Sequence, residues 1–215
     1  MSAGFVIAVD GPAASGKGTI AHQLASHYGL PCRDTGLLYR AVGVLAQQQA
    51  GAADEEAAVR AALALDPTHL EDPALRTRAA GELASQVAVF TAVRAALLDF
   101  QRGFAAQAGG AVLDGRDIGT VIAPDAPAKL FVTARPEVRA GRRWKQLAGD
   151  GASFEDILAD IRLRDERDSG RAAAPLVRAQ DAALLDTSDL TIYQAADAAR
   201  RIVEDARARW ENARG

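Results

Sequence analysis

The chain has 215 residues, 49% of them hydrophobic and 25% charged, with a formal net charge of −3. That length can bury one substantial core, its acidic balance argues against a broadly basic polyanion binder, and no apolar run is long enough to cross a bilayer. Cys32 is the sole cysteine, which rules out an internal disulfide and fits a reducing, cytoplasmic setting. The opening MSAGFVIAVDG lacks the basic segment and long apolar stretch of a secretory signal.

Residues 5–9 form a continuous apolar run between Gly4 and Asp10, the pattern of a central parallel strand buried on both faces. Residues 11–19 follow, reading GPAASGKGT, and lead into a helix predicted over 16–28, with Ile20, Leu24 and Tyr28 on one face and Gly29 as its C-cap. A glycine-rich turn between strand and helix aims several free backbone N–H groups at one small volume, and the helix dipole adds partial positive charge there. That volume suits a polyphosphate. Gly11, Pro12, Ala13, Ala14, Ser15, Gly16, Lys17, Gly18 and Thr19 are the candidate nucleotide-binding residues, and Lys17 can reach the β- and γ-phosphates of a nucleoside triphosphate. The strict pattern places Ser or Thr directly after the lysine; here Gly18 intervenes before Thr19. A plain surface turn would need no strand before it, no lysine and no helix after it.

Residues 30–32 read as a short second strand leading to Asp34, Thr35 and Gly36, after which Leu37, Leu38, Ala41, Val42 and Leu45 mark an amphipathic helix carrying Arg40. From 51 to 78 the pattern is alanine-rich helix and loop, broken at Pro67 and Pro73. Residues 83–104 read as helical. Ser85 and Arg94 lie nine positions apart there, which at about 100° per residue puts them on opposite sides of one straight helix. Thr91 offers an N-cap that would split the run and let both face one site. Arg94 also interrupts the apolar stripe Leu83, Val87, Phe90, Leu97 and Phe104. It is either a buried ion-pair partner or a ligand group at a cleft edge, since burying it alone is costly; Arg40 poses the same choice.

A further strand over 111–113 runs into Asp114, Gly115, Arg116 and Asp117. Ligands gather at strand carboxyl ends, so Asp114 is the candidate magnesium-organising carboxylate and Arg116 a candidate phosphate clamp. Taken alone, this tetrad would read as a solvated charged loop. Strands over 129–133 and at Leu184 and Leu185, with helices over 136–147, 153–168 and 193–210, complete an alternating β/α order. Along the second of those helices, positions 154, 157, 161, 164, 168 and 171 read Phe, Ile, Ile, Arg, Asp, Arg. Such a stripe starts in a core and overhangs a polar cleft; Ser169 and Gly170 are expected to loosen its end and Pro175 to stop the run, giving a mobile lid. An exposed helix end with local ion pairs has nearly equal weight. Only three of the 25 basic residues are lysines, a bias a GC-rich genome also produces, so only arginines within motifs carry weight. Arg135, Arg139, Arg142 and Arg143 read as a solvated helix face.

Together GPAASGKGT, DTGLLYR (34–40), ASQVAVFTAVR (84–94), LDGRDIGT (113–120) and RDERDSGRAAAPL (164–176) resemble the bacterial cytidylate kinases, a branch of the P-loop nucleoside monophosphate kinases. The segments occur in the family's order and span most of the chain. The resemblance implies a three-layer α/β/α fold with a central parallel sheet. Its core would comprise 1–37, 109–144 and 177–215, with a monophosphate-binding insertion at about 38–108 and a short lid at about 145–176. It implies transfer of the γ-phosphoryl group of ATP to CMP or dCMP with Mg²⁺, in a cytoplasmic monomer with no nucleic-acid or membrane partner. Gly18 fits the family's GKGT, which leaves Thr19, like Asp114, to reach magnesium directly or through water. By the same resemblance Ser85, Arg94 and Asp117 contact cytosine, and Arg164 and Asp168 the ribose. Arg40, Arg116 and Arg171 hold phosphate, Thr35 stands where the family often has serine, and Asp34 orders the phosphate and metal surroundings. Lys17, Arg116, Arg164, Arg167 and Arg171 are the candidate catalytic residues. Many members carry a β-rich insert where this chain has only the short, proline-interrupted 65–78, so a trimmed insert is expected. The nearest rival is another P-loop kinase acting on a different nucleotide or a small alcohol. A regulatory GTPase needs an Asn-Lys-x-Asp reader, and Asn212 is the sole asparagine.

Overall fold

The computed structural model describes residues 4–51, 53–147 and 151–214. Five parallel strands form one sheet in the order β2-β3-β1-β4-β5: β1 (Phe5–Asp10), β2 (Cys32–Asp34), β3 (Gly110–Gly115), β4 (Ala128–Thr133) and β5 (Ala183–Asp186). β1 lies between β3 and β4, with Ile7 opposite Val112 and Ala128. The apolar run at 5–9 therefore packs on both faces, and Ile7, Ala8 and Val9 are fully buried. Helices α1 (Lys17–Tyr28) and α8 (Ile192–Asn212) cover one face through Ile20, Leu24, Ala199 and Val203. The other face packs Ala8, Leu113 and Ile118 beneath α5 (Thr91–Ala105). This is the expected three-layer α/β/α arrangement.

Between β2 and β3 the chain builds a second small core from α2 (Gly36–Ala50), α3 (Glu55–Leu63), α4 (Arg78–Val87) and α5. Leu38, Val42, Ala58, Ala61, Val87, Val93 and Leu97 fill it. Gly43 lets α2 and α4 touch, because a Cβ there would lie 2.7 Å from the Leu83 Cβ. Residues 65–78 hold two short 3₁₀ turns, Pro67–Glu71 and Pro73–Arg76, each started by an aspartate (Asp66, Asp72) that accepts from the backbone. Helices α6 (Pro136–Gln146) and α7 (Phe154–Gly170) pack on each other through Ala140, Ile157 and Ile161.

Three local expectations need correction. β2 starts at Cys32 rather than residue 30, because its pairing with β3 begins at Cys32–Val112. The 83–104 run does break, with α4 and α5 bent by 103°. Phe90, not Thr91, is the N-cap residue, and no side chain caps α5; Val87 and Phe90 turn inward instead, so packing makes the corner. Finally, α7 stays helical through Ser169 and Gly170. Its end is held because the Leu176 N–H donates to the Asp168 carbonyl (2.8 Å), folding the following chain back. No single helix among the described residues is long and apolar enough to cross a membrane.

Candidate active site

The loop between β1 and α1 curls through Ala14 (φ 59°) and Gly16 (φ 93°), both in the left-handed region that glycine tolerates at no cost. Gly11 is required: a Cβ there would sit 2.0 Å from the Val132 carbonyl oxygen. Ala13 to Thr19 line a cleft of about 380 Å³ at the carboxyl ends of the strands, where α1 begins with its free N–H groups. Lys17 Nζ lies 3.0 Å from Asp114 Oδ1. Burial pushes the Lys17 ammonium below and the Asp114 carboxyl above their ordinary values, and their attraction opposes both shifts. Gly18 makes this pairing possible, because a Cβ at 18 would stand 2.9 Å from Asp114 Oδ2. The departure from the strict motif thus has a local cause.

Asp34 ends β2 and accepts the Gly36 N–H (2.8 Å), while Thr35 donates both its N–H and its hydroxyl to the Asp114 carbonyl (2.9 Å each). The ends of β2 and β3 are thereby locked side by side. Asp34, Asp114, Arg40, Arg116 and Arg164 all line the same cleft as the loop. Arg40 donates to the Leu75 carbonyl (2.7 Å), and the Arg40 and Arg164 guanidiniums both lie against Gly81 on α4, with nitrogens 3.7 and 3.4 Å from where a Cβ would stand. Burial, then the charges of Arg116, Arg40 and Arg143, push Arg164 down to about 9. Asp168, 3.9 Å from Arg164 Nε, opposes this shift but only in part, and a net positive field of this kind is a ready site for anionic oxygens.

Beside it lies a smaller pocket lined by Thr35, Tyr39, Ser85, Arg94, Arg116, Asp117, Arg164, Asp168 and Arg171. The corner between α4 and α5 brings Ser85 and Arg94 to this one pocket, resolving the spacing problem. Arg94 is the buried partner of Asp117 and lies over the Tyr39 ring, 5.4 Å from its centroid. Arg116 Nε bonds Asp168 Oδ2 at 3.0 Å. Burial alone would raise the Asp168 carboxyl, but Arg116, Arg164 and Arg171 hold it below the carboxylate range. Ser85 Oγ, Arg164 Nε and Arg171 Nη2 are buried with no hydrogen-bond partner among the described residues, a costly state in a site with nothing to bind. At about 40 Å³ the pocket holds roughly one water; a pyrimidine enters only if its walls part.

Helix α7 roofs both pockets. Its stripe behaves as the spacing predicts, from Ile157 and Ile161 in the core to Asp168 and Arg171, all buried. It is tied across the cleft to α4 by Arg78–Asp160 (2.6 Å) and Arg167–Glu82 (2.9 Å). Arg167 lines neither pocket, because Glu82 draws it toward α4.

Several residues escaped the sequence reading. Arg76, Arg78 and Arg143 join the cleft lining. Arg139 is no solvated residue: it is 3% exposed, donates in fork geometry to Asp165 (3.0 and 2.5 Å) and reaches the Ala13 carbonyl (3.3 Å), joining α7 to the loop. Arg142 donates to the Ser15 carbonyl (3.1 Å) and to Thr187 (2.9 and 2.7 Å). Only Arg135 fits the solvated-face reading, paired at the surface with Asp189. The solvated-face reading took these four arginines as one face of α6; their partners lie on four other segments, the loop at 13–15, Thr77, α7 and residues 187–189. A second cleft of about 410 Å³ flanks the outer side of the loop, walled by Ile20, Leu190, Ile192 and Ala195, with Arg142 and Lys145 beside them. Its apolar walls come from two distant helices, which no local motif announces.

The fold resembles the crystal structure of an uncharacterized protein from Eubacterium ventriosum ATCC 27560, with a TM-score of 0.57 at 15% identity over 93% of this chain and 98% of that one. Two curated proteins named cytidylate kinase are much nearer in sequence. One from Caulobacter sp. (strain K31) is 64% identical over 98% of this chain and 99% of its own length. Another, from Caulobacter vibrioides (strain NA1000 / CB15N), is 68% identical over 96% and 98%. The family model for cytidylate kinase matches residues 7–205, a span that contains every pocket-lining segment described above. With loop, anion cleft and roofed side pocket all inside that match, the chain belongs to the cytidylate kinase family.

Proposed function

We propose that this chain transfers the γ-phosphoryl group of ATP to CMP or dCMP, releasing ADP and CDP or dCDP. The observation that carries the residue-level reading is the side pocket next to the phosphate cleft, where Ser85, Arg94 and Asp117 offer hydrogen-bonding groups to a small heterocycle. In this reading the loop 11–19 cradles the triphosphate and the outer cleft with Ile20, Leu190 and Ile192 takes the donor base. Arg94, Asp117 and Ser85 read the cytosine, while Arg164 and Asp168 meet the ribose. Arg40, Arg116 and Arg171 hold the acceptor phosphate.

Phosphoryl transfer asks the protein for alignment and charge neutralisation rather than bond-making chemistry. Lys17 at the end of the loop, with Arg116 and Arg164, supplies positive charge where donor and acceptor phosphates meet. Arg171 joins them from the end of α7, and Arg167 serves if closure on substrate releases it from Glu82. The α7 roof keeps water from competing as acceptor. Three cations of the two pockets already face a carboxylate: Lys17 on Asp114, Arg94 on Asp117, Arg116 on Asp168. Those carboxylates keep the cations charged and oriented before the nucleotides arrive.

Magnesium suits the donor side. Asp114 is a buried carboxylate whose Oδ1 faces Lys17 Nζ at 3.0 Å, and both it and Thr19 line the phosphate cleft. One carboxylate and one hydroxyl beside phosphate oxygens match the few protein ligands Mg²⁺ takes. Bound there, the ion would neutralise negative charge developing on the transferring phosphates. We further propose the division into a core (1–37, 109–144, 177–215), a monophosphate-binding insertion near 38–108 and a lid near 145–176; the separate small core of the insertion supports it. A cytoplasmic monomer without nucleic-acid or membrane partners completes the reading, supported by the acidic charge balance. The test is ADP release with ATP and Mg²⁺ across CMP, dCMP, UMP and AMP: CMP and dCMP should be the best acceptors, and higher efficiency with AMP would overturn the assignment.

A further inference from the structure

Asp117 occupies an unusual position for a base-reading carboxylate. It is the N-cap residue of a short π-helical turn, Ile118–Ile122, yet its side chain caps nothing. An aspartate at an N-cap normally accepts the N–H groups just beyond it. Here the Asp117 carboxylate is turned to Arg94 instead, and the waiting N–H groups are met from elsewhere. Asp10, the last residue of β1, accepts the Ile118 N–H and the Gly119 N–H, each at 2.8 Å. Asp10 is 5% exposed, and Gly119 permits the approach, since a Cβ there would lie 3.3 Å from Asp10 Oδ2.

We infer that Asp10 is a positioning residue for acceptor-base selection: by capping Ile118 and Gly119 it releases the Asp117 carboxylate to pair with Arg94 and read the base. Without Asp10 two buried N–H groups lose their acceptor, and the Asp117 side chain, at the N-cap of the same turn, is of the type and at the position that accepts from such a turn. Swinging Asp117 back to cap its own turn would leave Arg94 buried and unpaired and remove the base reader. Burial raises the Asp10 carboxyl to about 6, even though the two N–H groups favour the charged form. The site is thus retained at an electrostatic cost.

This inference rests on the acceptor reading above, and the experiment separates the two. The ratio of kcat/KM for CMP to that for UMP, the dissociation constant for ATP and the melting temperature are measured for the parent protein, Asp117→Asn, Asp10→Asn and Asp10→Ala. Asp117→Asn should cut the CMP:UMP ratio by about tenfold or more, as expected when a buried polar reader is mismatched. Both Asp10 variants should cut it similarly while the ATP constant stays within about twofold, an effect general destabilisation would not give. Asp10→Asn keeps side-chain shape and one acceptor, so it reports even if the alanine variant fails to fold. In the double variant Asp10→Asn with Asp117→Asn, the two losses should not add. A parent-like ratio in folded Asp10→Asn would overturn the inference; a parent-like ratio in Asp117→Asn would overturn the acceptor reading itself.

Discussion

The loop that follows β1 and the side pocket beneath α7 are built by opposite strategies. The loop is contiguous: residues 11–19 present backbone N–H groups at one helix start, and a single lysine completes them. The pocket is assembled from α2, α4, α5, the end of β3 and α7, and it presents side chains held by ion pairs. A backbone cradle grips any polyphosphate tail. A side-chain pocket discriminates, at the cost of burying charges that must be paired. The molecule puts the shared half of its chemistry in local sequence and the selective half in tertiary structure.

That contrast can be broken most severely on the donor side. Lys17→Met should lower kcat on the order of 10³-fold by removing a preorganised cation, with acceptor selectivity in the residual rate unchanged; steady-state assays check it. On the acceptor side, Arg94→Ala leaves the Asp117 carboxylate buried without its partner. It should cost about 3–5 kcal/mol of unfolding free energy, read by urea denaturation, whereas Lys17→Met should cost far less. Gly18→Ser, which restores the strict loop motif, should nevertheless slow transfer by about 10²-fold, as expected for a small displacement in a positioned site. Its Cβ would press on Asp114 Oδ2 at 2.9 Å and disturb the Lys17 pair. The smallest effect belongs to the tie between α4 and α7: Arg78 and Asp160 are both about two-fifths exposed, so Arg78→Ala should change stability by less than about 1 kcal/mol.

The same contrast governs what could be read from the residues. The 11–19 loop and the buried β1 were legible because each rests on local rules: a turn, a helix start, a two-sided apolar strand. The α7 stripe was legible because helical periodicity links its core end to its polar end. Arg94 was recognisable as misplaced, but its choice of Asp117 depends on a 103° corner between two helices that was inferred from spacing and attributed to the wrong cap. Arg139 and Arg142 were misread because helical position alone says nothing of partners 26 and 45 residues away. Asp10 was invisible as more than a strand end, since its partners lie 108 and 109 residues on.

The most direct test of two half-sites with separate physics is calorimetric titration of Asp117→Asn with CMP and with ATP. The account predicts CMP affinity at least about tenfold weaker with ATP affinity within about twofold of the parent. Parallel loss of both ligands, or undiminished binding of CMP, would contradict it.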